Sequence, residues 1–106
     1  MARAAIEAGV ITTPVPIIAG ESVHIIYSGP LAKSGANKVY MHIGYGPDSS
    51  WKMIDDFEMS SSKWGWEAIV DIAGDDRFNF CFHDCADNWD NNNGHNWSYE
   101  VFSGVI

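Results

Sequence analysis

Apolar residues in this sequence alternate with polar ones in short runs, and turn-forming clusters break the runs apart. A period of two is the signature of half-buried strands, and it excludes a helical bundle. Helical spacing shows only over Ala4 to Ala8, too short to stand alone. Glu21 to Ser28 places Val23, Ile25 and Tyr27 on one face. Lys38 to Tyr45 turns Val39, Met41 and Ile43 inward and leaves Tyr40, His42 and Gly44 outward. Trp51 to Ile54 reads as a short strand, and Trp64 to Ile72 as a longer one with Trp66, Ala68 and Val70 on one face. Arg77 to His83 groups Phe78, Phe80 and Phe82 against Asn79, Cys81 and His83. Trp97 to Phe102 forms the last strand. Val10 to Ile18, interrupted by Pro14 and Pro16, reads as an edge strand because proline cannot donate to a ladder. Ser28-Gly29-Pro30, Ser34 to Asn37, Gly46-Pro47-Asp48, Ala73 to Asp76 and Asn91 to Gly94 supply the turns. About seven short strands in this length predict an all-β fold, an immunoglobulin-like antiparallel β-sandwich.

At 106 residues, 46% of them apolar, the chain makes one domain with a core of its own. Six basic residues against 14 acidic ones give a net charge of −8. That balance excludes phosphate-backbone binding and docking on an anionic leaflet, so neither nucleic acid nor membrane is expected as a partner. The apolar runs, such as Pro14 to Gly20, fall far short of the ~20 residues of a membrane span. Met1 to Ile11 contains no continuous apolar core of a signal peptide, which predicts a cytoplasmic protein. Cys81 and Cys85 on a continuous strand would sit ~13 Å apart. A disulfide tolerates ~7 Å, so two free thiols are expected unless the chain turns at Asp84.

Five Trp, five Phe and four Tyr exceed what so small a core normally uses. The stretch from Asp87 to Trp97 is the place where this excess calls for an explanation. Its Asn, Asp and Gly residues are turn builders, but that does not account for Trp89, a large ring in a loop that must stay solvated. An indole beside amide groups is what a sugar-binding surface requires: the ring meets the C–H face of a pyranose and the amides meet its hydroxyls. Trp51 follows another solvated loop, where it either folds back on the core or joins a site. Trp64 and Trp66 read as packing residues, and His42 as a surface residue.

Cys81, His83, Cys85 and His95 spread too far along a strand and its turn for one zinc ion, and their spacing is not that of a zinc finger. A calcium loop with Gly94 at its sixth position would put Trp89 first, where it cannot ligate. No metal and no cofactor is expected. The carboxylates Asp55, Asp56, Glu58, Asp84, Asp87 and Asp90 fall mostly in turns, whereas glycoside hydrolysis needs a pair held in a cleft. With no nucleophile elbow, phosphate loop or redox CxxC, the chain does not read as an enzyme.

The succession Val39 to Gly46, Trp51, Gly65-Trp66, Asn79 to Phe82 and Asn88-Trp89-Asp90-Asn91-Asn92-Asn93-Gly94 resembles the starch-binding carbohydrate-binding modules of families 25 and 53. The resemblance spans about residues 20 to 103, with 1–19 as an N-terminal extension of a single module. It implies an immunoglobulin-like sandwich that binds α-1,4-glucans (starch, glycogen, malto-oligosaccharides) without catalysis, in the service of a glucan-active enzyme. It also implies a platform of one His and two Trp. By position these are His42, with Tyr40 as its alternative, Trp51 and Trp89, and Asn91 adds a polar contact. Apart from the resemblance, exposed aromatics on a sandwich also suit a protein-interaction domain that binds a partner or a second copy.

Overall fold

The computed structural model describes residues 3–74 and 76–103. Met1 and Asp75, the latter part of the expected 73–76 turn, lie outside the described residues. One sheet has the order β1-β2-β4-β8-β7, from β1 (Arg3–Glu7), β2 (Val10–Val15), β4 (Ser22–Tyr27), β7 (Ser60–Ser62) and β8 (Gly65–Asp71). The other has the order β10-β9-β5-β6, from β5 (Val39–Tyr45), β6 (Lys52–Glu58), β9 (Phe78–Asp84) and β10 (Trp89–Asp90), with β11 (Trp97–Tyr99) also on β9. All pairings in both sheets are antiparallel. A small parallel pair, β3 (Ile17–Ile18) with β12 (Val101–Phe102), accompanies them. The fold is the antiparallel β-sandwich that the alternation predicts.

The inward faces meet in one core. Val23, Ile25 and Tyr27 of β4 and Val39, Met41 and Ile43 of β5 are buried, as are Phe78, Phe80 and Phe82 of β9. Trp97 is fully buried, stacks on Phe80 with ring centroids 6.0 Å apart, and donates its indole N–H to the Glu7 carbonyl at 2.9 Å. Removing a side chain of that size from water and packing it contributes roughly 1.5–3 kcal/mol.

Several expectations are corrected. The Val10–Ile18 segment is not an edge: β2 lies between β1 and β4, and Ala4 to Ala8, the one run with helical spacing, pairs with it as a strand apart from Ala8. The prolines fit because Pro14 lies near the end of β2 and Pro16 interrupts the chain before β3. The strand expected at Trp51 begins one residue later and runs on to Glu58. The last strand divides at Glu100, so that β11 stays with β9 while β12 pairs with β3. Ser28-Gly29-Pro30 opens a short helix, α1 (Pro30–Lys33). Finally, Trp66 does pack on the core, but Trp64 is 62% exposed at the tip of the β7–β8 hairpin.

Candidate functional site

The outward face of the second sheet carries the aromatic cluster, and strand register explains its composition. Trp89 of β10 stands opposite His83 of β9, which stands opposite Tyr40 of β5. One pleat further along, His42 of β5 pairs with Asp56 of β6 on one side and Cys81 of β9 on the other. Residues two apart share a face, so two cross-strand rows form one surface.

The first row is a stack of rings. His83 lies 4.3 Å from Trp89 at an interplanar angle of 30°, and 5.1 Å from Tyr40 at 16°. His42 meets Trp89 edge-on at 5.3 Å and 88°, and lies 5.7 Å from Trp51 at 30°. One indole is therefore nearly aligned with the imidazole plane and the other almost perpendicular to it. The two indole planes must be steeply inclined to each other, with His42 between them.

Each indole is held by its own local structure. Trp51 precedes β6, and its ring N–H donates to the Asp48 carbonyl at 2.8 Å. Its root lies against Gly44, where an added Cβ would come within 2.6 Å of the Trp51 Cβ. Gly44 thus creates the seat in which Trp51 rests. Trp89 is 51% exposed but clamped on both sides. Before it, the Asp84 carboxylate accepts from the backbone N–H of Ala86 and of Asn88 and from the Asn88 amide, each at 2.9 Å. Those Asn88 hydrogen bonds hold the Asp84 carboxyl below its ordinary range. After it, Asp90 accepts from the Tyr27 hydroxyl at 2.7 Å and from the Asn92 N–H at 3.1 Å. Burial, followed by the bond to Asp90, raises the Tyr27 pKa, so the phenol remains a donor.

Asp56 organises the two histidines. Its Oδ1 lies 2.9 Å from His42 Nδ1 and 2.9 Å from His83 Nε2. Burial alone pushes this carboxyl up, but the hydrogen bonds from His83 and then His42 outweigh it and hold it below its usual value. An ionised carboxylate only accepts, so both ring nitrogens donate to it. A neutral His42 then keeps Nε2 as an acceptor for a hydroxyl group. Beneath this face the Cys81 thiol is buried, and burial, with Asp56 and Asp90 nearby, pushes its pKa up to about 12. It is an inert thiol. Cys85 is exposed, and both cysteines are free.

Of the residues anticipated from sequence, His42, Trp51 and Trp89 are brought together. Asn91 is not part of their ring contacts. Its side-chain oxygen accepts from the Gly94 N–H at 3.0 Å and its carbonyl from the Asn96 N–H at 2.7 Å, which makes it a builder of the loop. Sequence reasoning missed Asp56 and His83. His83 was legible as outward-facing, but the register that sets it under Trp89 was not. Among the described residues no three His, Cys, Asp or Glu side chains gather closely enough to hold a metal ion.

Comparison with known proteins identifies a family for the chain. The family described as starch/carbohydrate-binding module (family 53) matches residues 23–80, which include His42 and Trp51. An alpha-amylase of Clostridium acetobutylicum is 34% identical over 91 residues. The aligned region covers 84% of this chain but 11% of that enzyme, so the chain spans about a tenth of the relative. No solved structure matches. With more than half of its length matched, the chain belongs to the family 53 starch/carbohydrate-binding modules.

Proposed function

We propose that this module binds α-1,4-glucans, whether starch, glycogen or malto-oligosaccharides, without cleaving them, through His42, Trp51 and Trp89. The observation that carries the reading is the steep inclination of two exposed or half-exposed indoles about one imidazole. An α-1,4-linked chain curves, so successive sugars present their apolar C–H faces at an angle. A β-1,4-linked chain is a flat ribbon and cannot seat on both rings at once. His42 and the polar groups around the rings supply hydrogen bonds to the hydroxyls. Asn91 stays in the proposal as a secondary polar contact, through its amide N–H groups.

A catalytic role is disfavoured by the chemistry of the carboxylates. Glycoside hydrolysis calls for an acid whose pKa is raised to keep its proton, paired with a second carboxyl group ~5–9 Å away. Asp56, the carboxylate at the platform, is displaced in the opposite direction. The similarity to one segment of an alpha-amylase supports service to a glucan-active enzyme, as the part that keeps it on its polymer.

Trp fluorescence titrated with maltoheptaose tests the reading, together with retention on granular starch. Malto-oligomers are expected to quench fluorescence and compete for retention, while cello-oligomers do neither and no reducing sugar appears over hours. Equal competition by both series would remove the curvature argument, and steady sugar release would make the module an enzyme.

A further inference from the structure

We propose that the cleft beside the β7–β8 hairpin is a second sugar platform, formed by Trp64 and Trp66, that takes another stretch of the same α-glucan; the identity of that ligand rests on the function proposed above. Trp64 and Trp66, with Gly65 between them in the chain, both line this cleft. Trp66 pairs with Ser61 and Tyr27 and packs on the core. Trp64 lies in the turn past the last ladder pair Ser62–Gly65, where the core has ended. A two-residue hairpin turn favours Gly, Asn or Asp, yet here it displays an indole.

The turn that carries that indole is held by its own hydrogen bonds. The Trp64 backbone N–H donates to the Ser62 hydroxyl at 3.1 Å, and the hydroxyl donates to the Gly65 carbonyl at 3.3 Å. Gly65 has φ +131° and approaches Tyr27 so closely that a Cβ would collide with the Tyr27 carbonyl oxygen. The Lys63 ammonium sits 4.8 Å from the Trp64 ring centre. The cleft has a volume of about 500 Å³ and is lined by both indoles with Ser28, Ser62 and Lys33. Small-molecule sites run from ~300 to 1,000 Å³. None of its lining residues is acidic, in a chain of net charge −8. Apolar rings, hydroxyls and ammonium donors without a carboxylate suit a neutral polyol with one apolar face.

A neighbouring cleft of about 290 Å³ shares Ser28 and Lys33 and runs on to Asp90 and Asn92, on the side of β10 opposite to Trp89. Occupying both platforms makes the second contact intramolecular, which raises avidity for a long polymer far more than affinity for a short one.

The test follows the indole N–H resonances of the five tryptophans during titration with maltotriose. Trp64 and Trp66 should move along with Trp51 and Trp89, while the buried Trp97 stays still. In Trp89→Ala the Trp64 and Trp66 signals should still move, and in Trp64→Ala those of Trp51 and Trp89 should. Trp64→Ala should weaken retention on granular starch at least tenfold and leave maltotriose affinity at the first platform unchanged. If Trp64 and Trp66 stay still while Trp89 moves, or move only when Trp89 is present, the second platform is refuted and the proposed function stands. If no indole moves, both fall.

Discussion

Each sheet turns one face outward, and each face carries a histidine hydrogen-bonded to a carboxylate. On the second sheet it is His42 with Asp56 at 2.9 Å, and on the first it is His24 with Glu67 at 2.6 Å. His42 and Asp56 are directly opposed, Glu67 reaches His24 diagonally, and the surroundings of the two pairs differ as well. The loop before β6 brings Trp51, and the short strand β10 brings Trp89, onto the face around His42, which also holds Tyr40 and His83. Around His24 the neighbours are Ile69, Phe57 and Ala68, with Glu58 and Glu67, in a groove of about 320 Å³. A histidine–acid pair on a strand is thus a common surface arrangement. In the proposed platform it is joined by flat rings, one from the loop before β6 and one from the short strand β10.

The sharpest way to break this comparison is to remove the rings. Trp89→Ala and Trp51→Ala should each cost about 2 kcal/mol or more of glucan affinity, as expected for central aromatic anchors. For Trp89, half exposed and away from the core, the melting temperature should change little. Affinity gel electrophoresis in glycogen, with calorimetric melting alongside, checks both points. A Trp89→Ala protein that unfolds but still binds when folded would mean that Trp89 is structural and the platform lies elsewhere.

A subtler break leaves the rings in place and disturbs a seat. Gly44→Ala introduces a methyl where the Trp51 Cβ and ring root already lie. The backbone there is not in the left-handed region, so the strand itself accepts alanine. The ring root cannot swing aside as a side-chain tip would, and Trp51 must shift. Binding is expected to fall about tenfold, or ~1.4 kcal/mol. Unchanged affinity would show that the position of Trp51 is not critical.

These residues also show where sequence reading reaches and where it stops. The alternation in Lys38 to Tyr45 and Arg77 to His83 specified which side chains point outward, because a one-residue slip would expose the whole core face. Trp51 and Trp89 were legible as large rings in polar loops. Asp56 and His83 were not, since their roles depend on which strands lie side by side and in what register. The Asn-rich stretch 91–96 was legible as a turn builder, and the Asn91 side-chain oxygen and carbonyl serve that loop. The exposure of Trp64 was not, because alternation tells the face but not where the core ends.

A smaller effect is expected from Asp56→Asn. A neutral amide oxygen accepts more weakly than a carboxylate, and charge-assisted bonds are about twice as strong as neutral ones. Both histidines lose orientation, and affinity should drop several-fold with the fold intact. The pH dependence has a definite sign. Because the folded-state carboxyl lies below its ordinary value of 3.8, its contribution is complete above that value and disappears as pH falls through the lower folded value. Wild-type binding should therefore lose an Asp56-dependent component only below about pH 4, and Asp56→Asn should lack that component. An unchanged acid profile in the variant would remove Asp56 from the site.

The smallest expected effect is on the other face, where it decides whether the comparison is real. Ile69 is 71% exposed, directly across from His24 in the register, and lies in the groove beside Glu67. Ile6, at 77%, is the other strongly exposed isoleucine of that face, but Ile69 is the one beside His24, so a glucan bound at the His24 pair would meet it. A branched aliphatic side chain offers no plane for a pyranose, and the groove supplies two carboxylates and no indole. Ile69→Ser should leave glycogen mobility and maltoheptaose quenching unchanged. Its stability should stay within ~0.5 kcal/mol of wild type, the usual range for an exposed position. His24→Ala should be equally silent in binding, in contrast to His42→Ala, which removes the group between the two indoles. Loss of glycogen retardation in Ile69→Ser would mean that a histidine–acid pair with one aliphatic neighbour suffices to hold a glucan. The inclined indoles would then be no longer the feature that distinguishes one face from the other.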